Sequence, residues 1–301
     1  MAPLQVAVGI CTRNRGAGIV PALAALTRHE YRAFSVVILD QSGDDATEAA
    51  VMPFVRADQR FAYRRSATWG LSRARNAIVA MAEGDILAFT DDDCIPAPDW
   101  LAMLVRYFRA YPDAGQVSGA VDAAPPERAD GFVPACVIRE VRHITSTRQF
   151  GRERSMGANT AYRLAALRQT GGFDPLLGAG APFPYCDDRD MTFRLLKRGY
   201  SVLDVPDACV THHGMRPWTA LAHERRAVGV ALGAWHAKWV RLGEAALLPS
   251  HASILVRMPY WKRLLGRPRP PLLPLPRDFW HGAASSLRFD LDRTAQVYVS
   301  A

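Results

Sequence analysis

Short runs of apolar and β-branched residues alternate with longer helix-like stretches in the first part of the chain. Three runs have the length and composition of buried strands, at residues 4–10, 34–39 and 85–90. Apolar residues with helical spacing lie between and after them, at 19–27, at 71–82 and from Asp99 onward. This alternation predicts an α/β fold with a Rossmann-like, mostly parallel sheet flanked by helices, because parallel strands are joined by crossovers. Ligands of such sheets bind beyond the carboxyl ends of the strands.

The length and composition fit one large domain with an appendage. The chain has 301 residues, of which 49% are hydrophobic, and a chain of this size can bury one large core. A long helix is predicted at about residues 218–242, and the Pro-rich segments beyond it mark a linker-like, basic tail. We therefore expect a main domain at residues 1–245 and a C-terminal helical extension at residues 246–301.

The net charge of +8 is concentrated in the last sixth of the chain. Residues 251–301 hold eight basic and three acidic side chains, an excess of five. The remainder is nearly balanced, which argues against a nucleic-acid partner. Two interpretations of the tail stay open: a basic amphipathic segment on an anionic membrane surface, or a helix or lid that packs on the main domain.

Three observations predict a cytoplasmic protein, with contact to the inner face of the cell membrane as the alternative if the tail binds lipid. The start of the chain reads as a first strand and lacks the basic region of a secretory signal. The longest apolar stretch, residues 227–235, has about half of the ~18 residues that a spanning helix requires. The five cysteines are odd in number and widely spaced, which fits neither a zinc site nor a disulfide framework.

An acidic triplet, Asp91–Asp93, follows the apolar run 86–89 at a predicted strand end. Like charges about 4 Å apart repel by roughly 1 kcal/mol in water and by about 4 kcal/mol near a protein surface. A solvated turn tolerates this repulsion, but Asp99 already provides the cap of the next helix, so a turn does not explain the triplet. A hard divalent cation, Mn²⁺ or Mg²⁺, would bind such carboxylates together with substrate phosphates.

Three further polar clusters have both structural and functional interpretations. The acids of Asp187–Asp190 open a helix, where they complement the helix dipole, and one of them could act as a general base. His212 and His213 follow a strand and could complete a metal site. Arg73 and Arg75 lie near the start of a helix, where added cations suit a diphosphate partner.

The order of these motifs resembles that of a family 2 glycosyltransferase with the GT-A fold. The matching segments span residues 4–215 and are Cys11–Asn14, Asp40, Gly70–Asn76, Thr90–Pro96, Gly157–Asn159, Gly171–Asp174, Gly178–Pro184 and Asp187–Asp190. The triplet alone is weakly specific, whereas the ordered set is strongly specific. The resemblance implies metal-dependent, inverting transfer of a sugar from a UDP-, dTDP- or GDP-linked donor to a hydroxyl of a glycan, lipid-linked or small-molecule acceptor.

The resemblance also implies a role for each matching residue. Asp188 takes the position of the base that deprotonates the acceptor, and Asp93 takes that of the metal ligand. Either His212 or His213 takes the position of a further metal or diphosphate contact. The nucleotide-sugar is expected to bind at Thr12, Arg13, Asp40, Arg75, Asp91, Asp92, Asn159 and Asp187.

One motif departs from the family pattern, and two rival functions stay open. The helix-start motif usually reads Gly-Glu-Asp, whereas here it is Cys186–Asp188. The shorter Asp187 changes the reach toward acceptor or sugar, which affects substrate preference more than chemistry. One rival is a sugar-nucleotide nucleotidyltransferase, whose Gly-rich basic loop is only faintly matched by Arg13–Gly18. The other is a non-catalytic protein that binds a nucleotide-sugar.

Overall fold

The computed structural model describes residues 3–151, 155–244 and 276–299. Its strands are β1 (Val6–Thr12), β2 (Phe34–Asp40), β3 (Phe61–Arg65), β4 (Ile86–Thr90), β5 (Cys94–Pro96), β6 (Ala114–Ala123), β7 (Gly131–Phe132), β8 (Arg142–Ile144), β9 (Asn159–Arg163), β10 (Ser201–His212), β11 (Arg216–Pro217), β12 (Asp290–Asp292) and β13 (Val297–Val299). Its helices are α1 (Val20–Thr27), α2 (Ala46–Ala57), α3 (Leu71–Met81), α4 (Trp100–Ala110), α5 (Leu164–Gln169), α6 (Asp187–Lys197), α7 (Leu221–Arg241) and α8 (Pro276–Ser286).

A nine-stranded sheet forms the centre of the protein. Eight of its strands follow the order β3-β2-β1-β4-β9-β6-β10-β5, and β8 pairs with β10 off this path. The strands β3, β2, β1 and β4 are parallel, as the alternation of strands and helices predicts. Beyond β4 the directions are mixed, since β9 runs antiparallel to both β4 and β6. The α/β fold class is confirmed, with the continuous parallel part in the N-terminal half.

The register of the parallel strands brings three polar segments to one edge of the sheet. Thr12 of β1 pairs with Asp40 of β2. Gly9 of β1 pairs with Phe89 of β4, so the acidic triplet after β4 continues past the same edge. The segments that follow β1, β2 and β4 therefore lie side by side at the carboxyl ends of the strands, where this class of sheet binds ligands.

Apolar side chains cover both faces of the sheet. One cluster joins β1 to α1 and α4 and includes Val8, Ile10, Leu23, Trp100 and Leu104. The other joins β1 and β4 to α3, α5 and α6 and includes Ala7, Ile78, Leu87, Leu167 and Leu195. Because β1 contributes alternate residues to the two clusters, the strand is buried on both sides, which fixes the position of the loop that follows Thr12.

Three regions differ from the sequence predictions. The helix α2 and the strand β3 lie where no element is predicted. The polar region 127–150, predicted to include a basic helix, instead forms β7, β8 and the single 3₁₀ turn Thr147–Gln149. The two strands predicted at 200–203 and 208–211 are one strand, β10, with register irregularities that include the step between Val205 and Val210.

The described part of the C-terminal extension packs on α7. A Cβ atom at Gly233 of α7 would collide with the backbone of Phe279 in α8, and one at Gly282 would collide with Val230, so the two helices meet backbone to backbone. The hairpin of β12 and β13 continues this packing through the buried Tyr298.

The basic amphipathic segment of the tail lies outside the described residues. Within the described ranges, every helix is too short or too polar to cross a bilayer.

Candidate active site

The loop after β1 and the acidic triplet are joined by a buried hydrogen bond. Thr12 Oγ1 donates to Asp92 Oδ2 at 2.6 Å, and both residues are buried. Asp91 is partly exposed, and burial raises the pKa of its carboxyl to about 6, against the lowering effect of Arg75. The structure thus brings Thr12, Asp91 and Asp92 together, as the motif order predicts.

Asp93 and His212 form the part of the site that suits a metal ion. Asp93 Oδ1 lies 3.3 Å from His212 Nε2, and His212 Nδ1 lies 2.9 Å from the carbonyl oxygen of Pro134. Burial favours the neutral Asp93 carboxyl, but the contacts with His212 and Arg15 outweigh it and lower the pKa. His213 is exposed and contacts Asp93 only through its backbone N–H. The geometry therefore places His212, and not the side chain of His213, beside the carboxylate.

Asp93, Cys94 and His212 could together hold a metal ion, because their ligand atoms lie within 4.8 Å of one another. A Cβ atom at Gly214 would lie against Asp93 Oδ2 and 2.6 Å from His212 Nε2. Any residue other than glycine would therefore press on both the carboxylate and the imidazole. Both groups are ligands that Mn²⁺ accepts. Cys94 Sγ lies 3.9 Å from Asp93 Oδ1, but burial raises the pKa of its thiol, so the thiolate that metals prefer is not favoured.

Arg15 completes the contacts of the triplet and was not among the predicted site residues. Its Nη2 lies 2.6 Å from Asp92 Oδ1 and 3.0 Å from Asp93 Oδ2. The guanidinium therefore offsets the repulsion between neighbouring carboxylates. The sequence offers one signal for this contact: Arg15 follows the same strand end as Thr12, which the fold places opposite the triplet.

A pocket of about 190 Å³ opens beside Thr12 at the carboxyl end of β1. The Arg13 guanidinium stacks on the Trp69 ring, 3.3 Å from its centroid. The Trp69 side chain remains 48% exposed, so a planar cation and a large aromatic face line the mouth of the pocket. The other lining residues are Cys11, Thr12, Gln41, Gly70, Leu71, Ala179 and Gly180.

Asp40 lies at the expected strand end but is fully buried. Its Oδ1 accepts hydrogen bonds from the backbone N–H and the hydroxyl of Ser42. Its Oδ2 accepts a hydrogen bond of 2.8 Å from the Tyr63 hydroxyl. The carboxylate thus fixes the turn after β2 from inside the protein.

Arg75 and Asp187 form a buried ion pair between α3 and α6. Their side chains are 4% and 10% exposed, and Arg75 Nη1 donates to Asp187 Oδ2. Arg75 Nη2 also donates to the carbonyl of Gly157 at 3.1 Å. Asp187, which stands where the family motif has Glu, therefore has an ion-pair partner, because its carboxylate contacts this arginine.

Asp188 lies next to Asp187 in sequence but has a different environment. It lines a pocket of about 220 Å³ together with Ser155, Tyr185, Cys186, Arg189, Val228 and Leu232. Burial and the neighbouring Asp187 carboxylate raise the pKa of Asp188 to about 6. A carboxylate with a raised pKa is a better proton acceptor, because proton affinity rises with pKa.

The backbone turns sharply just before Asp188. Cys186 has a φ of 73°, in the left-handed region that favours glycine. The family motif has glycine at this position, and the cysteine here adopts the backbone conformation that glycine permits. Such a conformation costs roughly 1–3 kcal/mol and persists where the surrounding structure enforces it.

Four buried charges hold α6 against α7 and the turn at Asp174. Lys238 Nζ lies 2.8 Å from Asp174 Oδ2 and 2.6 Å from Asp190 Oδ1, and all three side chains are fully buried. Arg194 Nε donates to Asp190 Oδ2 at 2.9 Å. Two carboxylates therefore face two cations, which fixes the start of α6 and with it the position of Asp188.

Asn159 is not brought to either pocket. Its side chain is fully buried, and its Oδ1 accepts a hydrogen bond of 2.8 Å from Trp100 Nε1. Its Nδ2 donates to the carbonyl oxygens of Ala120 and Ala208, each at 2.8 Å. The amide joins β9 to β6, β10 and α4, so Asn159 is not part of the proposed binding site.

We expect Gly214→Ala to weaken Mn²⁺ binding by roughly 10–100-fold, the range seen when the surroundings of a metal ligand are disturbed. The added methyl group would collide with Asp93 Oδ2 and His212 Nε2 and displace the two proposed ligands. Titration of the protein with Mn²⁺, followed by electron paramagnetic resonance, measures the affinity. Gly43→Ala is the matched control, because a Cβ atom there meets nothing within 4 Å. Equal affinities for the two variants would contradict the assignment of Asp93 and His212 as cation ligands.

Comparison with known sequences agrees with the geometry. Residues 7–165, just over half of the chain, match the model of Glycosyl transferase family 2. A glucosyl-dolichyl phosphate glucuronosyltransferase of Haloferax volcanii is 24% identical over 185 residues, which cover 58% of each chain. An N-acetylglucosaminyltransferase of Rhizobium meliloti is 26% identical over 208 residues, which cover 65% of this chain and 48% of the relative. This chain thus spans only about half of these relatives.

Comparison with solved structures agrees in fold. The mannosyltransferase PcManGT of Pyrobaculum calidifontis, solved with GDP-Man and Mn²⁺, superposes with a TM-score of 0.63 at 19% identity and covers 95% of this chain and 88% of its own. Residues 1–349 of S. aureus TarS, solved with UDP-GlcNAc, give a TM-score of 0.57 at 17% identity and cover 76% and 66%. The GT-A type of fold is confirmed. Since the family match covers more than half of the sequence, this chain belongs to glycosyl transferase family 2.

Proposed function

We propose that this chain is a metal-dependent, inverting glycosyltransferase that uses a nucleoside-diphosphate sugar. One observation carries the proposal: two adjacent carboxylates have opposite environments. Asp187 is ion-paired with Arg75, whereas Asp188 lines a pocket and has a pKa raised to about 6. Divergent environments for neighbouring acids are typical of a site in which one carboxylate positions a ligand and the other moves a proton.

The donor would bind in the pocket beside Thr12. The Arg13 and Trp69 pair offers a flat surface for a nucleobase, and the side chain of Asp40 fixes the turn that borders it. Asp91 and Asp92 would lie on the ribose and diphosphate side of the pocket. The solved structures with GDP-Man and UDP-GlcNAc support a GDP- or UDP-linked sugar as the first donors to test.

Asp93 and His212 would hold the cation, Mn²⁺ or Mg²⁺. A cation there would supply positive charge to the departing diphosphate. The contacts of Asp93 with His212 and Arg15 lower the pKa of its carboxyl, which favours the charged form that binds a cation. The remaining contact of His212, with the Pro134 carbonyl, fixes the orientation of the imidazole.

The acceptor would enter the pocket that contains Asp188. Asp188 would take the proton of an acceptor hydroxyl. The oxygen of that hydroxyl would attack the anomeric carbon as the bond between this carbon and the diphosphate breaks. A single displacement of this kind inverts the anomeric configuration. Val228 and Leu232 of α7 give the pocket an apolar wall. A glycan, a lipid-linked saccharide or a small molecule with an apolar part would fit this pocket. One relative is named as a glucosyl-dolichyl phosphate glucuronosyltransferase, which supports a lipid-linked acceptor.

The segment at residues 176–185 would border both the donor pocket and the pocket of Asp188. Ala179 and Gly180 line the donor pocket, and Tyr185 lines the pocket of Asp188. The Leu71 backbone N–H donates to the Ala179 carbonyl at 2.8 Å. Phe183 is buried in an apolar cluster that includes Trp235 of α7 and Tyr298 of β13. These contacts support a fixed wall shared by the two pockets. We propose that residues 1–245 form a cytoplasmic catalytic domain, that residues 276–299 support it by packing on α7, and that the 246–301 extension is the part that would contact a membrane.

Thermal unfolding with nucleotides tests the donor site. We expect GDP or UDP, with Mn²⁺, to raise the melting temperature, and the chelator EDTA to abolish the rise. A ligand at about 100 times its Kd stabilises by roughly 2.7 kcal/mol. For a chain of this size each kcal/mol corresponds to about 2–4 °C. Arg13→Ala is the matched variant and should reduce the rise without changing its dependence on Mn²⁺.

The outcomes separate donor binding from the rest of the proposal. A rise with one nucleotide identifies the base and narrows the sugars to be tested in a transfer assay. A rise that is the same with EDTA would contradict the metal dependence but leave the donor site intact. A folded protein that shows no rise with any nucleoside diphosphate would contradict the donor site itself.

A further inference from the structure

Arg15 contacts the carboxylates at the proposed cation site. Its Nη2 contacts Asp92 Oδ1 at 2.6 Å and Asp93 Oδ2 at 3.0 Å. The other oxygen of Asp93, Oδ1, lies 3.3 Å from His212 Nε2, the second proposed metal ligand. The Asp93 carboxylate therefore lies between the guanidinium and the imidazole proposed to hold the cation.

The backbone of Arg15 is held in place, whereas its side chain has room to leave. The N–H groups of Arg15 and Gly16 both donate to Thr47 Oγ1, at 3.1 and 2.9 Å. The aliphatic part of the side chain runs over Gly18, where a Cβ atom would lie only 2.9 Å from Arg15 Cδ. The side chain is 36% exposed, so the guanidinium can move toward solvent without changing the fold.

We propose that Arg15 competes with the divalent cation for the carboxylates of Asp92 and Asp93. This inference rests on the metal site of the proposed function. A guanidinium and a divalent cation repel each other at such short range, and both require negatively charged oxygens. Cation binding at Asp93 therefore releases Arg15 from the triplet, and Arg15 lowers the affinity of the site for a free cation.

The released guanidinium stays beside the donor pocket. Arg15 lies two residues after Arg13 on the loop that follows Thr12, and both Thr12 and Arg13 line that pocket. A diphosphate in the pocket attracts the guanidinium away from the triplet, because arginine binds phosphate strongly. Diphosphate and cation then assist each other's binding, since coupling between two ligands is reciprocal. Arg15 therefore makes the site bind a cation more tightly when a diphosphate is also bound.

Measurement of Mn²⁺ affinity without nucleotide tests the competition. The full chain, Arg15→Ala and Arg15→Lys are titrated with Mn²⁺ in parallel, and free Mn²⁺ is measured by electron paramagnetic resonance. We expect Arg15→Ala to bind Mn²⁺ about tenfold more tightly than the native chain, which corresponds to about 1.4 kcal/mol. Arg15→Lys should lie between the two, because it keeps the charge but loses the planar, multiply bonded group.

Arg64→Ala is the control, since it removes the same charge from an exposed side chain whose guanidinium donates to the Tyr63 carbonyl and not to the triplet. Its Mn²⁺ affinity should stay within about twofold of native, as expected for a partly screened charge. Inorganic pyrophosphate should increase Mn²⁺ affinity more in the native chain than in Arg15→Ala, because only the native chain has a guanidinium to withdraw.

Each result has a definite meaning. Equal or weaker Mn²⁺ binding by Arg15→Ala would overturn the competition while leaving the metal site intact. If neither protein bound Mn²⁺, the metal site and the competition would both be overturned, whatever the outcome of the nucleotide experiments. If Arg15→Ala did not fold, Arg15→Lys would decide the question, with tighter binding supporting the competition and native affinity overturning it.

Discussion

Replacing Asp188 with asparagine is expected to lower kcat by about 10²–10⁴-fold, the contribution typical of a general base. Asparagine keeps the size of the side chain but cannot accept the proton of an acceptor hydroxyl. Donor affinity should change little, because the donor pocket beside Thr12 does not include Asp188. The measurement is turnover of an accepted donor and acceptor, together with the Kd of the nucleotide from its thermal shift.

The pH profile provides an independent check on this assignment. With a pKa of about 6, Asp188 is the charged base above that pH and becomes protonated below it. The value of kcat/KM should therefore fall as the pH drops through about 6, and Asp188→Asn should lose this dependence. Asp187→Asn is the matched control: it should keep the dependence on pH but move the fall to lower pH, because it removes a charge that raises the pKa of Asp188. Full turnover by Asp188→Asn would remove Asp188 from the mechanism and favour a different base.

Replacing Lys238 with alanine is expected to destabilise the protein by about 3–5 kcal/mol, the cost of leaving buried charges without their partner. Lys238 is fully buried and contacts both Asp174 and Asp190. Without its ammonium group, Arg194 alone remains to offset two buried carboxylates. The change in free energy of unfolding can be measured with urea at neutral pH.

A more accessible pair of the same type is the control for Lys238. Lys197 pairs with Glu244, with side chains that are 23% and 28% exposed. Lys197→Ala should cost at most about 1 kcal/mol, because water screens such pairs. Similar losses for the two variants would mean that the buried charges do not act as a unit. A small loss for Lys238→Ala would show that Asp174 and Asp190 tolerate burial without it.

The parallel half of the sheet was predictable because its strands are short apolar runs separated by amphipathic helices. The misses have a common cause in weak local patterns. The strand β3 has one buried residue, Phe61, and ends in Arg64 and Arg65, so it does not resemble a core strand. Residues 127–150 form short pairings with β10 and β11, and such pairings depend on partners far along the chain.

The site was predictable in its residue types more than in its contacts. The acidic triplet and the histidine pair are visible as clusters, and the structure brings Asp93 and His212 to 3.3 Å. The partner of the triplet, Arg15, lies 78 residues away from Asp93, and no local pattern links the two. The same limit applies to Asn159, whose motif suggests a ligand contact while its amide is engaged by Trp100 and two strands.

The buried network around Lys238 also constrains the order in which parts of the chain can fold during synthesis. Asp174 is contacted by the backbone of Tyr298 across a separation of 124 residues, and Lys238 lies 64 residues after it. A nascent chain that leaves the ribosome N-terminus first would expose these carboxylates before their partners exist. The N-terminal parallel strands can pair early, but the region around α6 must wait for α7 and β13. We therefore expect α6 to pack late in folding, because contacts between distant parts of a chain form slowly.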